Sequence, residues 1–167
     1  MNYSEKEKTF TALIQKNQGI IHKVCHTYTN DEMAHDDLFQ EIVLQLWKSY
    51  DSFKGDSKFT TWMYRVGINT AISLYRKRKR RPEGTQLVEN HFKIVATEND
   101  ENLTYQLQML KKAIQQLNDV ERALVLLYLD DLPYKDISET LGITEGNARV
   151  KMNRVKKKLK EMLNPYR

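Results

Sequence analysis

The stretch from Leu132 to Leu163 constrains this chain more than any other. Pro133 suits the first turn of a helix, where its missing N–H costs nothing. Ile137 and Leu141 stand four apart on one helical face, and Gly142 follows as the residue that most easily takes the left-handed conformation ending a helix. Thr144 can cap a second helix by accepting from its free N–H groups. In that helix Ala148, Met152, Val155, Leu159 and Met162 recur at spacings of four, three, four and three, one apolar stripe for packing. The face turned away holds Gly146, Asn147, Val150, Asn153, Arg154 and Lys157, with Arg149 and Lys156 on its flank. A short helix, a Gly-containing turn and a long helix with a basic outer face describe a helix-turn-helix. Amide and guanidinium groups early on its second helix can make two-point contacts to adenine and guanine in the major groove. Two packed helices with a solvated lysine face also fit this spacing, and lysines in a last turn suit the helix dipole. Lys156, Lys157 and Lys158 therefore weigh less than Asn147, Arg149 and Arg154.

Composition narrows the remaining choices. The chain of 167 residues is 40% hydrophobic and 29% charged, which is globular rather than disordered. A net charge of +5 favours an anionic partner without naming one. One cysteine excludes an intramolecular disulfide and points to a reducing compartment, here the cytoplasm. The polar N-terminus lacks the apolar core of a signal peptide, and no apolar run approaches a membrane span, so direct membrane insertion is not expected. Residues 86–104 carry one Lys against four acidic residues and show no helical periodicity. They read as an acidic flexible linker between a domain at 1–85 and another at 105–167. No strand alternation is visible, so the expected fold class is all-α, two small helical domains.

In the first half, Phe10, Leu13, Ile14, Ile20, Ile21, Val24 and Tyr28 form helical runs, with Gly19 either a junction or a weak point inside one helix. His22, Cys25 and His26 can share a face, but zinc needs a fourth ligand that is not evident. A buried cysteine beside two ordinary histidines is expected, with no metal and no cofactor. A helix beginning near His35 turns Phe39, Ile42, Val43, Leu46 and Tyr50 inward, and Asp37, Glu41, Leu44 and Lys48 outward with Gln40 beside them. Leu44 among charges is either a lone exposed leucine or part of a docking face for another protein. A turn-rich segment from Asp51 to Lys58 precedes a helix over 59–79 that is apolar on two sides. That helix runs into six cations, Arg76 to Arg81. Aromatics leading into a basic tract serve nucleic-acid binding, the cations holding phosphates and the rings stacking on unpaired bases. The same aromatics also fit a plain core with a solvated helix end. After the linker, Tyr105, Leu107, Leu110, Ile114 and Leu117 mark one helix. Val120, Leu124, Leu127 and Tyr128 mark the next, with Asn118 or Asp119 as its cap.

Three separated motifs together resemble a known family. They are Asp37-Leu-Phe-Gln-Glu41 with Leu46-Trp47; Phe59-Thr-Thr-Trp62-Met-Tyr-Arg-Val-Gly-Ile-Asn69 with Tyr75-Arg76-Lys77-Arg78; and Tyr134-Lys-Asp-Ile137 through Arg154. Their order and spacing resemble bacterial sigma factors of the extracytoplasmic-function type over nearly the whole chain. The resemblance implies a promoter-specificity subunit without catalysis of its own. It implies that residues 1–85 dock on the beta-prime subunit of RNA polymerase core through Asp37, Leu38, Gln40, Glu41 and Leu44. It implies that the minus-ten element is opened and its flipped bases captured by Phe53, Lys54, Lys58, Trp62, Tyr64, Arg65 and Asn69, with Arg76 and Arg78 on duplex phosphates. It implies that Asn147, Arg149, Val150 and Arg154 face bases of the minus-thirty-five element, with Lys151 and Lys157 on phosphates. Its partners would be polymerase core, promoter DNA and an anti-sigma factor, with no small-molecule substrate. Gly67 stands where alanine is usual, Asn147-Ala148 where Thr-Val is usual and Val150 where serine is frequent, so the base preference is this chain's own.

Two other readings use the same residues. A conventional repressor or activator would bind a palindromic operator tightly as a dimer without polymerase, which a gel shift on duplex DNA separates from the sigma reading. A metal-dependent enzyme acting on nucleic acid would need a carboxylate or histidine cluster at ligand spacing, and the sequence has none.

Overall fold

A computed structural model describes residues 2–80 and 101–166. The chain divides into two compact units, Met1–Val88 and Glu89–Arg167. Among the described residues every regular element is helical.

In the first unit, α1 (Tyr3–Tyr28), α2 (Glu32–Ser49) and α3 (Phe59–Lys79) pack pairwise on one another, with a 3₁₀ turn at Tyr50–Ser52. A reciprocal cap starts α1: the Asn2 side chain accepts from Ser4 N–H and the Glu5 carboxylate accepts from Asn2 N–H. The helix continues unbroken through Gly19, which is solvent-exposed. α2 starts earlier than the His35 expected from the sequence, because Asp31 accepts from Ala34 N–H and opens the helix at Glu32. Its buried line is Leu38, Ile42 and Leu46 at four-residue spacing, while Phe39 and Val43 are half-buried. α3 turns Met63, Tyr64, Gly67, Ile68 and Ala71 into the core, and Trp62, Val66 and Leu74 are half-buried on its other side. Cys25 is wholly buried, and burial, reinforced by the Asp36 carboxylate, pushes its thiol up to about 12. A thiol that resists ionisation is a poor nucleophile or metal ligand. His22 instead faces His35, Nδ1 to Nε2 at 2.9 Å.

Gly67 lies inside α3, where glycine weakens a helix. A Cβ there would meet Val24 Cγ2 at 3.6 Å and Ile42 Cγ2 at 3.7 Å, ordinary contact distances. Gly67→Ala is expected to stabilise the unit by about 0.5–1 kcal/mol. Thermal denaturation should show Tm rising by about 3–6 °C; a fall would mean the helices cannot accept the methyl group.

In the second unit, α7 (Glu145–Leu163) packs against α4 (Glu101–Gln115), α5 (Asp119–Leu129) and α6 (Tyr134–Leu141). Asn118 and Glu121 form the same reciprocal cap at the start of α5. Leu117, Leu124, Leu127, Ile137, Ala148, Met152 and Val155 make the core. α4 begins at Glu101, so residues 101–104 are helical where the sequence reads as linker. Leu103 extends the apolar line of α4 backwards, and the acidic Glu101 suits a helix start. Residues 86–100 of that linker lie outside the described residues, as do Arg81 and its neighbours up to 85.

Candidate nucleic-acid interface

The turn between α6 and α7 is built from three backbone devices. Pro133 occupies the cap position just before α6, and its carbonyl accepts from Asp136 and Ile137. Gly142 sits at φ 69°, where a side chain is strained, and both its N–H and that of Ile143 donate to the Ser138 carbonyl. Thr144 Oγ1 then accepts from Asn147 N–H at 3.1 Å. These fix the angle at which α7 leaves α6. Ala148, Met152 and Val155 are buried beneath α7. The opposite side leaves Asn147, Arg149, Val150, Arg154 and Lys157 exposed, with Lys151 half-buried.

Arg149 is the most constrained of these. Its guanidinium lies 4.8 Å from the centre of the Tyr134 ring and 3.8 Å from Glu145. A stacked, planar guanidinium loses less freedom when it meets guanine. Val150 is 49% exposed beside it, an apolar side chain of the kind that can contact a thymine methyl group. Lys156 is turned onto the Tyr128 ring at 4.2 Å, and its hydrogen bond to Tyr128 raises its pKa. Lys158 bonds Glu121 at 3.1 Å and so faces α5. The sequence does not single out Tyr134 or Tyr128 as site residues, because each meets its cation from a different helix.

In the first unit, Arg65, Asn69, Arg76 and Arg78 are exposed along α3. Lys79 reaches over the Tyr75 ring at 5.3 Å. At the other end of α3, Phe53 and Trp62 meet at 5.2 Å between ring centres, and Phe59 touches both. Lys54 and Lys58 are exposed on the same loop. A half-buried aromatic group thus lies at one end of α3, with exposed cations on its loop and along the helix; rings and cations of this kind can stack bases and hold phosphates. Tyr64 does not belong to it. The ring is 2% exposed, packed in the core with Met63, Gly67 and Ile68, so it offers no surface to a base.

On α2, Asp37 and Gln40 are exposed and Leu44 is 44% exposed. Glu41 is half-buried and accepts from Gln45 Nε2 at 2.9 Å. Leu38 is 4% exposed, in line with Ile42 and Leu46, and belongs to the core rather than to an outward contact surface. Among the described residues no cluster of three or more His, Cys, Asp or Glu side chains is arranged to hold a metal ion.

Family models and known proteins fall on the same two units. The model described as Sigma-70 region 2 matches residues 13–81, and that described as Sigma-70, region 4 matches residues 107–159. The ECF RNA polymerase sigma-E factor of Haemophilus influenzae is 28% identical over 95% of this chain and 89% of its own. The RNA polymerase sigma-H factor of Pseudomonas aeruginosa is 28% identical over 95% of this chain and 88% of its own. Among solved structures, the sigma factor RpoE from Bartonella quintana, in complex with the anti-sigma factor NepR, superposes with a TM-score of 0.72. That likeness has 21% identity and covers 96% of this chain and 99% of the other. CnrH, in complex with the cytosolic domain of CnrY, gives a TM-score of 0.69 at 18% identity, covering 95% of this chain and 90% of the other. Two sigma-70 regions in order, on two helical units with these exposed faces, have one reading: the chain is an RNA polymerase sigma factor of the extracytoplasmic-function type.

Proposed function

We propose that the two units divide the work of promoter recognition. The unit of α1 to α3 docks on polymerase core through Asp37, Gln40, Glu41 and Leu44. It captures minus-ten bases with Phe53, Lys54, Lys58, Trp62, Arg65 and Asn69, and holds duplex phosphates with Arg76 and Arg78. The unit of α4 to α7 reads the minus-thirty-five element through Asn147, Arg149, Val150 and Arg154, with Lys151 and Lys157 on phosphates. The protein performs no catalysis and needs no cofactor. Its place of work is the reducing cytoplasm, in keeping with its single cysteine. No helix among the described residues is long and apolar enough to cross a membrane. An anti-sigma factor is its regulator. The open groove of about 580 Å³ lined by Leu103, Leu107, Leu110, Leu159 and Leu163 supports an apolar partner segment.

The observation that carries this reading is Arg149, exposed at the start of α7 and stacked on Tyr134. Holoenzyme assembled with Arg149→Ala, tested on a pool of duplexes randomised over the minus-thirty-five register, is expected to lose about 1–3 kcal/mol against the preferred sequence and to relax at one position. Lys157→Ala should weaken all sequences alike and lower the salt slope by about one. Equal behaviour of the two variants would remove the base-reading role from Arg149.

A further inference from the structure

We infer that the first turns of α1 position the minus-ten loop, with Lys6 and Trp47 as positioning residues for base capture, an inference that rests on the minus-ten reading of that loop. Lys6 Nζ donates to Asp51 Oδ2 at 2.8 Å, a bond between residues 45 apart in the chain. The same ammonium lies 4.7 Å from the centre of the Trp47 ring. Asp51 is the middle residue of the 3₁₀ turn from which the loop departs, and Phe53 N–H closes that turn on the Tyr50 carbonyl at 3.1 Å. Whatever holds Asp51 therefore holds the backbone that presents Phe53 and Lys54.

Ring contacts trace the same path. Tyr3 and Phe10 set their rings against Trp47 at 5.9 and 5.0 Å, and Phe10 also meets Tyr50 at 5.2 Å. Tyr50 reaches Trp62 at 6.4 Å, and Trp62 reaches Phe53 at 5.2 Å. An unbroken series of aromatic contacts thus runs from the first residue of α1 to the tip of the base-capturing group. The reciprocal cap at Asn2 and Glu5 keeps the first turn helical and so fixes the point from which Lys6 projects.

The Lys6 side chain is 22% exposed and that of Asp51 79%. An ion pair with one partner in water adds little to stability. Its use is directional: it selects one position of the turn among those the aromatic packing allows. Because Lys6 already faces a carboxylate and an indole ring, a phosphate would have to displace both.

The test uses full-length protein with polymerase core and a pool of single-stranded oligonucleotides randomised across the minus-ten register. Lys6→Glu and Asp51→Lys are each expected to reduce the preference for the favoured base by about threefold to tenfold. The double charge exchange should restore it to within about twofold of the original. Lys6→Gln, which keeps the fold free of a new acidic charge, should fall between the original and Lys6→Glu. Thermal unfolding of all four should stay within a few degrees. Unchanged preference in both single variants would overturn the inference. So would weaker total binding by Lys6→Glu with stronger binding by Asp51→Lys, the pattern of a plain phosphate contact. An original protein with no base preference at all would overturn the minus-ten reading, and this role of α1 with it.

Discussion

Asp37→Ala combined with Glu41→Ala is expected to weaken association with RNA polymerase core by on the order of a hundredfold, about 2–3 kcal/mol, with the fold intact. The physical case lies in how α2 is seated. Leu38, Ile42 and Leu46 lock its inner side into the core, so the outer side is presented without further ordering cost. Gln45 holds Glu41 in place, and the exposed Leu44 would supply the apolar centre of the proposed patch. Removing two carboxylates takes two charges from the proposed docking face, which would act on both the encounter and the bound complex. A binding titration at two salt concentrations measures it; an affinity within twofold of the original would remove α2 from the docking surface. Leu38→Ala is the necessary contrast. It should also lose binding, but by costing about 2–4 kcal/mol of stability, so that its Tm falls while that of the double variant does not.

Arg122→Met is expected to destabilise the second unit by about 3 kcal/mol, lowering its Tm by more than about ten degrees. Arg122 is 6% exposed, its Nε donates to the Leu117 carbonyl at 3.2 Å, and its Nη2 donates to the Gln115 carbonyl. A cation there ties the C-terminal end of α4 to α5 and suits the negative end of the helix dipole. Methionine fills the volume but leaves two inward-facing carbonyls without that donor. Arg122→Lys should recover only part of the loss, because one ammonium on a flexible stem cannot reproduce the planar fork. Since α7 rests on α4, α5 and α6, the face proposed to read bases should loosen with the unit, and minus-thirty-five preference should decline together with Tm. A melting curve identical to the original would show that other groups satisfy these carbonyls.

Much of the architecture is legible in the residues because its signals are local. Gly142 and Thr144 mark the helix-turn-helix joint through backbone and capping chemistry that needs no tertiary context. The choice between neighbouring apolar residues is not local. Leu38 and Phe39 both satisfy helical periodicity, and only the approach of α1 and α3 puts Leu38 inside. Tyr64 belongs to one of the two apolar faces of α3, and the sequence offers no means of telling the buried face from the half-buried one. Tyr134 beneath Arg149, Arg122 across the α4–α5 junction and Lys6 beside Asp51 are contacts between elements, invisible to spacing along a single helix. Most basic and acidic side chains are legible as outer-face residues because burying a charge is costly unless it is paired, and Arg122 and Asp136 are the buried exceptions.

The most direct measurement maps the 5′ ends of transcripts made by purified polymerase core on genomic DNA, with and without this protein. The account predicts a set of new start sites that share one sequence at minus ten and another at minus thirty-five, with the protein co-purifying with core. Unchanged start sites, and a protein that elutes apart from the polymerase, would contradict it.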